Sequence, residues 1–202
     1  MEINPSDESP RDFYFRMVSL ITPRPIAWVS TISNSGHLNL APYSFFNGVT
    51  AAPPSVVFSP VNRPDGSKKD TVLNIEQNGQ FVINVVSHAI AEKMNLTSGD
   101  FGFEENEFEI AGLTTVDSLK VKPPRVKESA AQFECELIQI VEVGDGPLAA
   151  NLIIGKILHL HIADEVLDER GRVDSQLLDN VGRLGGAEYS TTRDRFEIAR
   201  PS

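Results

Sequence analysis

The chain has 202 residues, 41% of them hydrophobic, with 18 basic and 28 acidic side chains and a formal net charge of −10. Those proportions describe one globular domain with a substantial core and exclude a disordered or fibrous chain. So acidic a surface repels polyphosphate backbones, so nucleic acid is not an expected partner, although a few local donors can still hold one small anion.

No apolar run is long enough to cross a bilayer, and Met1-Glu2-Ile3-Asn4-Pro5 lacks the basic and apolar regions of a secretory leader. Cys135 is the only cysteine, so no intrachain disulfide can form. The expected location is the reducing cytoplasm, away from membranes.

Ser9-Pro10-Arg11-Asp12 reads as an N-cap followed by proline at the first helical position. Phe13, Met17, Leu20 and Ile21 recur at helical spacing, which predicts a helix over 10–20 within an N-terminal extension of about 1–22. Pro23 and Pro25 then force an extended path. Pro25–Ser33 and Leu38–Phe46 read as a hairpin around Asn34-Ser35-Gly36.

Pro53-Pro54 precedes a short strand, Ser55–Pro60, and the polar loop Asn62–Lys69 leads to Asp70, which is placed to cap a helix through Asn78. Phe81–Val86 reads as a central strand and His88–Leu96 as a helix, with Gly99–Gly112 irregular. Ala131–Val143 and Leu152–Ala163 read as two long strands, the first with Phe133, Cys135 and Leu137 facing in and Gln132, Glu134 and Glu136 facing water. Strands joined by turns, with helices between some, predict a mainly β fold, a barrel with peripheral helices, in a single domain over 1–202.

Most catalytic signatures are missing. There is no P-loop, Gly182-Arg183-Leu184-Gly185-Gly186 has the wrong spacing for a dinucleotide fingerprint, and no Cys-x-x-Cys occurs. His159 and His161 share one face of a strand near Asp164, a pattern that suits hydrogen bonding better than a metal site. No metal is expected.

Three segments carry more chemistry. They are Pro23–Thr31, the run Asn39–Asn47 with proline in mid-strand at Pro42, and Lys68-Lys69-Asp70-Thr71 at a helix start. A mid-strand proline marks an edge or a bulge. Free amides at a helix start beside a lysine and a hydroxyl suit a phosphate monoester. Asp70 capping a helix beside solvated lysines remains the alternative there.

Together with Gly36, Pro53-Pro54, Phe81–Asn84, Arg183–Gly186 and Tyr189, these segments resemble the flavin reductase-like, FMN-binding split-barrel family. The similarity is to the branch containing the small reductase component of nitrilotriacetate monooxygenase. The resemblance implies a split β-barrel, a homodimer with FMN at or near its interface, NAD(P)H as electron donor and a flavin-dependent monooxygenase as recipient. A flavin-bound electron carrier without nucleotide turnover is the alternative.

By position, the resemblance puts Lys69, Asp70 and Thr71 at the FMN phosphate, with Lys68 as a helper, and Ser30 and Thr31 at the ribityl chain or phosphate. Tyr43, Ser44, Phe45, Phe46 and Asn47 would run beside the isoalloxazine, joined by Asn84, while Arg183 and Tyr189 close over the ring or arrive from the second subunit. No side chain is expected to act as acid, base or nucleophile, because hydride transfer depends on position and field. One departure from the resemblance stands out: many simple flavin reductases of this superfamily carry a Gly-Asp-His stretch where this chain has Gly144-Asp145-Gly146.

Overall fold

A computed structural model describes residues 1–201 of the chain. Helix α1 (Pro10–Leu20) begins at Pro10, and Ser9 Oγ caps it by accepting from the Asp12 amide at 3.1 Å. Val18 is its only buried residue; of the expected apolar stripe Phe13 and Met17 are half-buried and Leu20 and Ile21 exposed, so it packs against the rest of the chain only in part.

Strand β1 (Arg24–Pro25) leads into the hairpin of β2 (Ala27–Ile32) and β3 (Leu38–Tyr43), turned through Gly36 at φ +90°, a conformation glycine adopts without strain. The strand expected over Leu38–Phe46 is in fact two. It breaks at Ser44-Phe45, and β4 (Phe46–Ala51) pairs instead with β5 (Pro54–Phe58). Helix α2 (Asp70–Asn78) and β6 (Gln80–Asn84) follow, then α3 (Ala91–Leu96) and α4 (Glu107–Ile110). The small hairpin β7 (Thr115–Val116) and β8 (Arg125–Val126) precedes the long β9 (Ala131–Val143) and β10 (Ala150–Ile162). A short α5 (Ser175–Leu178) leads to β11 (Val181–Arg183) and β12 (Tyr189–Thr191), which form a three-stranded sheet with β1.

The main sheet runs β3-β2-β6-β9-β10-β5-β4. Its two end strands are joined by Ser44 and Phe45 alone. Three Cα–Cα steps reach about 11 Å, whereas the ends of a flat seven-stranded sheet would lie about 29 Å apart. The sheet must therefore curl round until β3 and β4 approach. The result is a barrel split along that seam.

Strand alternation sorts the side chains. Ala27 and Val29 point into the barrel, where Phe58 contacts the rings of Tyr43 and Phe81 at centroid distances of 5.5 and 5.4 Å. At Gly155 a Cβ would lie 2.3 Å from the Phe81 ring, so β10 can cross there only as glycine. Trp28 points the other way, into a second cluster with Leu40, Met94, Phe108 and Val126.

One expected surface is interior. Gln132 and Glu134 are buried: the segment 117–123 folds over Glu134, and Arg125 and Val126 bond Gln132. Glu134 accepts from the amides of Leu119 and Lys120 at 2.8 and 2.5 Å and from His161 Nε2 at 2.6 Å. Burial works against its ionised form, yet those three donors outweigh it and hold the carboxyl below its ordinary value. Among the described residues no helix is long and apolar enough to cross a membrane.

Candidate functional site

Strand β3 is an end strand of the sheet, so one of its backbone edges has no strand partner. Leu40 N–H lies on that edge and donates to Glu107 Oε2 at 3.0 Å. By ladder alternation Pro42 shares the edge and has no N–H to offer. The edge is thus closed to further strands while its Pro42 carbonyl stays available.

A groove runs along this edge in two adjoining lobes. The first is bounded by Asn39, Ala41, Pro42 and Tyr43, by Arg63, Lys69 and Asp70, by the Thr97–Phe101 loop and by Glu107. The second lies between Pro42, Ser44, Asn95, Ser98, Arg183 and Tyr189. Pro42 and Ser98 line both lobes, making them continuous.

At the first end α2 starts without a side-chain cap, and Lys69 is the N-cap residue. Its first bonds are those of Val72 and Leu73 to Lys69 O, leaving the Asp70 and Thr71 amides without an acceptor among the described residues; Asp70 lines the groove, whereas Thr71 is fully buried. Lys69 enters no ion pair among the described residues. Asp70 does not cap the helix; it pairs with Arg63 at 2.7 Å. Lys68 turns away, held at 2.5 Å by both Glu76 and Glu142.

Several residues expected at a ligand meet one another instead. Tyr43 Oη donates to Thr71 Oγ1 at 2.9 Å, and Asn39 Nδ2 donates to Thr71 Oγ1 at 2.8 Å and to Thr31 Oγ1 at 3.3 Å. Thr31 also accepts from Asn74 at 3.0 Å. This buried network fastens α2 to β2 and β3, and burial pushes the Tyr43 hydroxyl well above its usual range. The side chains of Thr31 and Thr71 are occupied there, not at the groove surface. Ser30 Oγ donates to Pro124 O, and Asn84 is buried between Trp28 O and the Val126 amide, so neither side chain faces the groove.

The Tyr43–Asn47 run divides likewise. The backbone of Tyr43 and the Ser44 side chain border the groove. Phe45 packs edge-on against Tyr14 of α1 with centroids 6.4 Å apart, while Phe46 and Asn47 belong to β4, where Phe46 packs on the barrel core and Asn47 is exposed. Arg183 lies at the far end of the groove, its guanidinium 4.5 Å above the Tyr189 ring, whose hydroxyl donates to Asn95. His159 and His161 are away from the groove, with rings 4.6 Å apart and His161 engaged by Glu134.

Arg63, Glu107 and the Thr97–Phe101 loop form walls that sequence reading missed. The signal available was the charged loop Asn62–Lys69 and the acid- and aromatic-rich stretch after Gly99, whose partner across space no periodicity reveals. Phe101 lies so close to Gly99 that a Cβ there would sit 2.7 Å from its ring. Burial raises the Glu107 carboxyl above its ordinary value, with the Leu40 amide acting against that rise.

The chain resembles solved proteins along its whole length. Nitrilotriacetate monooxygenase component B of Bacillus cereus is 34% identical with a TM-score of 0.92, over 98% of both chains. The 2-nitrobenzoate 2-nitroreductase of Pseudomonas fluorescens is 32% identical with a TM-score of 0.89, over 100% of this chain and 97% of the other. A protein of Aquifex aeolicus is 45% identical over 183 residues, 90% of this chain and 91% of its own. The model of the flavin reductase like domain matches residues 18–186. A split barrel whose groove follows the free edge of β3 to the start of α2, together with that match, places the chain in the flavin reductase-like family.

Proposed function

We propose that the groove holds FMN, with the phosphate at the start of α2 and the ring alongside Pro42, Tyr43 and Ser44, and that NAD(P)H reduces it. The uncapped start of α2 carries this reading. The free Asp70 amide and a lysine in no ion pair among the described residues open into the same groove as the strand edge, as a phosphate joined to a flat polar heterocycle requires. The residues present fit the group. Bound FMN would supply a ring that takes up hydride at N5. Lys69 and the Asp70 amide would hold the phosphate, the Pro42 carbonyl would accept from a ring N–H, and Arg183 and Tyr189 would bound the ring's far side.

A homodimer belongs to the same reading. Val49 on β4, Ile138 on β9 and Leu160 on β10 are exposed apolar residues that a second copy would cover. A partner monooxygenase as recipient of the reduced flavin is proposed with it. The carrier reading draws on a separate observation: none of the four histidines lines the groove, so the usual aid to nicotinamide binding is missing.

Anaerobic absorption spectroscopy of the FMN-loaded chain separates the two. Bleaching of the yellow band by NADH or NADPH supports the reductase. A spectrum that dithionite bleaches and neither nucleotide changes overturns it in favour of the carrier.

A further inference from the structure

Arg24 on β1 is only 5% exposed, yet no carboxylate pairs with it among the described residues. Its guanidinium donates to the carbonyls of Val18, Ile21 (2.7 Å) and Leu184 (2.9 Å), and its Nε donates to Ser44 Oγ at 3.3 Å. Three of these acceptors are neutral carbonyls and the fourth a hydroxyl, so the positive charge is solvated but not cancelled. Arginine does not shed its proton to escape burial. Arg183, also without an ion pair among the described residues, is the Cα partner of Arg24 across the antiparallel pairing of β1 with β11. Arg183 therefore lines one end of the groove and Arg24 stands behind Ser44 there, neither of them in an ion pair among the described residues, in a chain of net charge −10. A buried charge left without a counter-charge is costly, and an anion arriving beside it recovers that cost.

The phosphate is assigned to the opposite end, at α2, so the charge awaited near Ser44 must come from elsewhere. Hydride brings two electrons and one proton, and a neutral ring that accepts it at N5 becomes singly negative, with the charge shared by N1 and O2. The nicotinamide leaves oxidised, and no further proton is required. We propose that Arg24, acting through Ser44, is a positioning residue that stabilises the negative charge the flavin ring gains on reduction. This rests on the reading that FMN lies in the groove with its ring beside Ser44.

The test is the affinity of the full-length chain for oxidised and for reduced FMN, with the midpoint potential measured by anaerobic dithionite titration. Arg24→Gln is expected to weaken reduced FMN at least tenfold more than oxidised FMN, a fall of about 30 mV for a two-electron couple. Arg24→Lys, which keeps the charge without the fork, recovers most of the loss, and Ser44→Ala shifts the potential in the same direction by less. An unchanged potential in FMN-bound Arg24→Gln overturns the proposal and leaves Arg24 a structural tie. Should Arg24→Gln fail to fold, a wild-type potential in Ser44→Ala overturns it equally, and a fall in the potential of Ser44→Ala upholds it. Failure of the wild-type chain to bind FMN would instead refute the reading beneath it.

Discussion

Tyr43 Oη donates to Thr71 Oγ1 at 2.9 Å, joining the last residue of β3 to the first turn of α2. The bond fixes the distance between the groove's strand edge and its helix start. In Tyr43→Phe, Thr71 Oγ1 keeps the Asn39 donor, so no buried acceptor is stranded. The expected cost is that of one net hydrogen bond, about 0.5–1.5 kcal/mol. A lower urea midpoint with an unchanged m-value would show it, and a loss above about 3 kcal/mol would mean that the ring has moved as well.

Glu134 is fully buried and takes the Leu119 and Lys120 amides. Glu134→Ala strands both, at about 1–3 kcal/mol each, and is expected to destabilise the fold by about 3 kcal/mol. Because its folded pKa is depressed, its contribution is present above the ordinary value of 4.5 and lost as pH falls through the folded value. The wild-type advantage over Glu134→Ala should therefore shrink on acidification. Urea melts at pH 7 and pH 4 measure it.

Glu107 has the opposite sign. Its folded pKa is raised by burial, so its neutral form is favoured and its contribution is full below 4.5, then declines as pH rises through the folded value. Glu107→Gln can still accept from the Leu40 amide but cannot ionise. The variant is expected to lose less stability than wild type between pH 4.5 and pH 7. An identical pH dependence in both proteins would contradict the assignment.

Trp28, the only tryptophan, donates from Nε1 to Thr97 Oγ1 at 2.8 Å, and Thr97 lines the groove. Its emission should therefore be quenched as FMN fills the groove, saturating at one ligand per chain in a stopped titration. Emission that stays constant while FMN fluorescence is titrated would place the ligand elsewhere.

Much of the fold was legible because its signals are local. Ser9-Pro10 marks the start of α1, and the alternation of Phe133, Cys135 and Leu137 marks β9, whose bounds match the reading. The boundary at Ser44-Phe45 was not legible, since only closure of the barrel decides that Phe46 leaves for the far end of the sheet. Glu134 looked like a surface residue until the 117–123 segment covered it, a long-range event that period-two patterning cannot encode. At the site, Lys69 and Ser44 could be read as groove residues. Thr31 and Thr71 were both read as ligand contacts; the structure joins them through Asn39, and their hydroxyls hold the scaffold together.

Isothermal titration of FMN and riboflavin against wild type and Lys69→Ala tests the central claim most directly. Lys69→Ala is expected to weaken FMN by the worth of one charge-assisted bond, about 1.5–3 kcal/mol, and to leave riboflavin, which has no phosphate, unaffected. Equal losses for both ligands, or no loss for either, would contradict a phosphate seated at the start of α2.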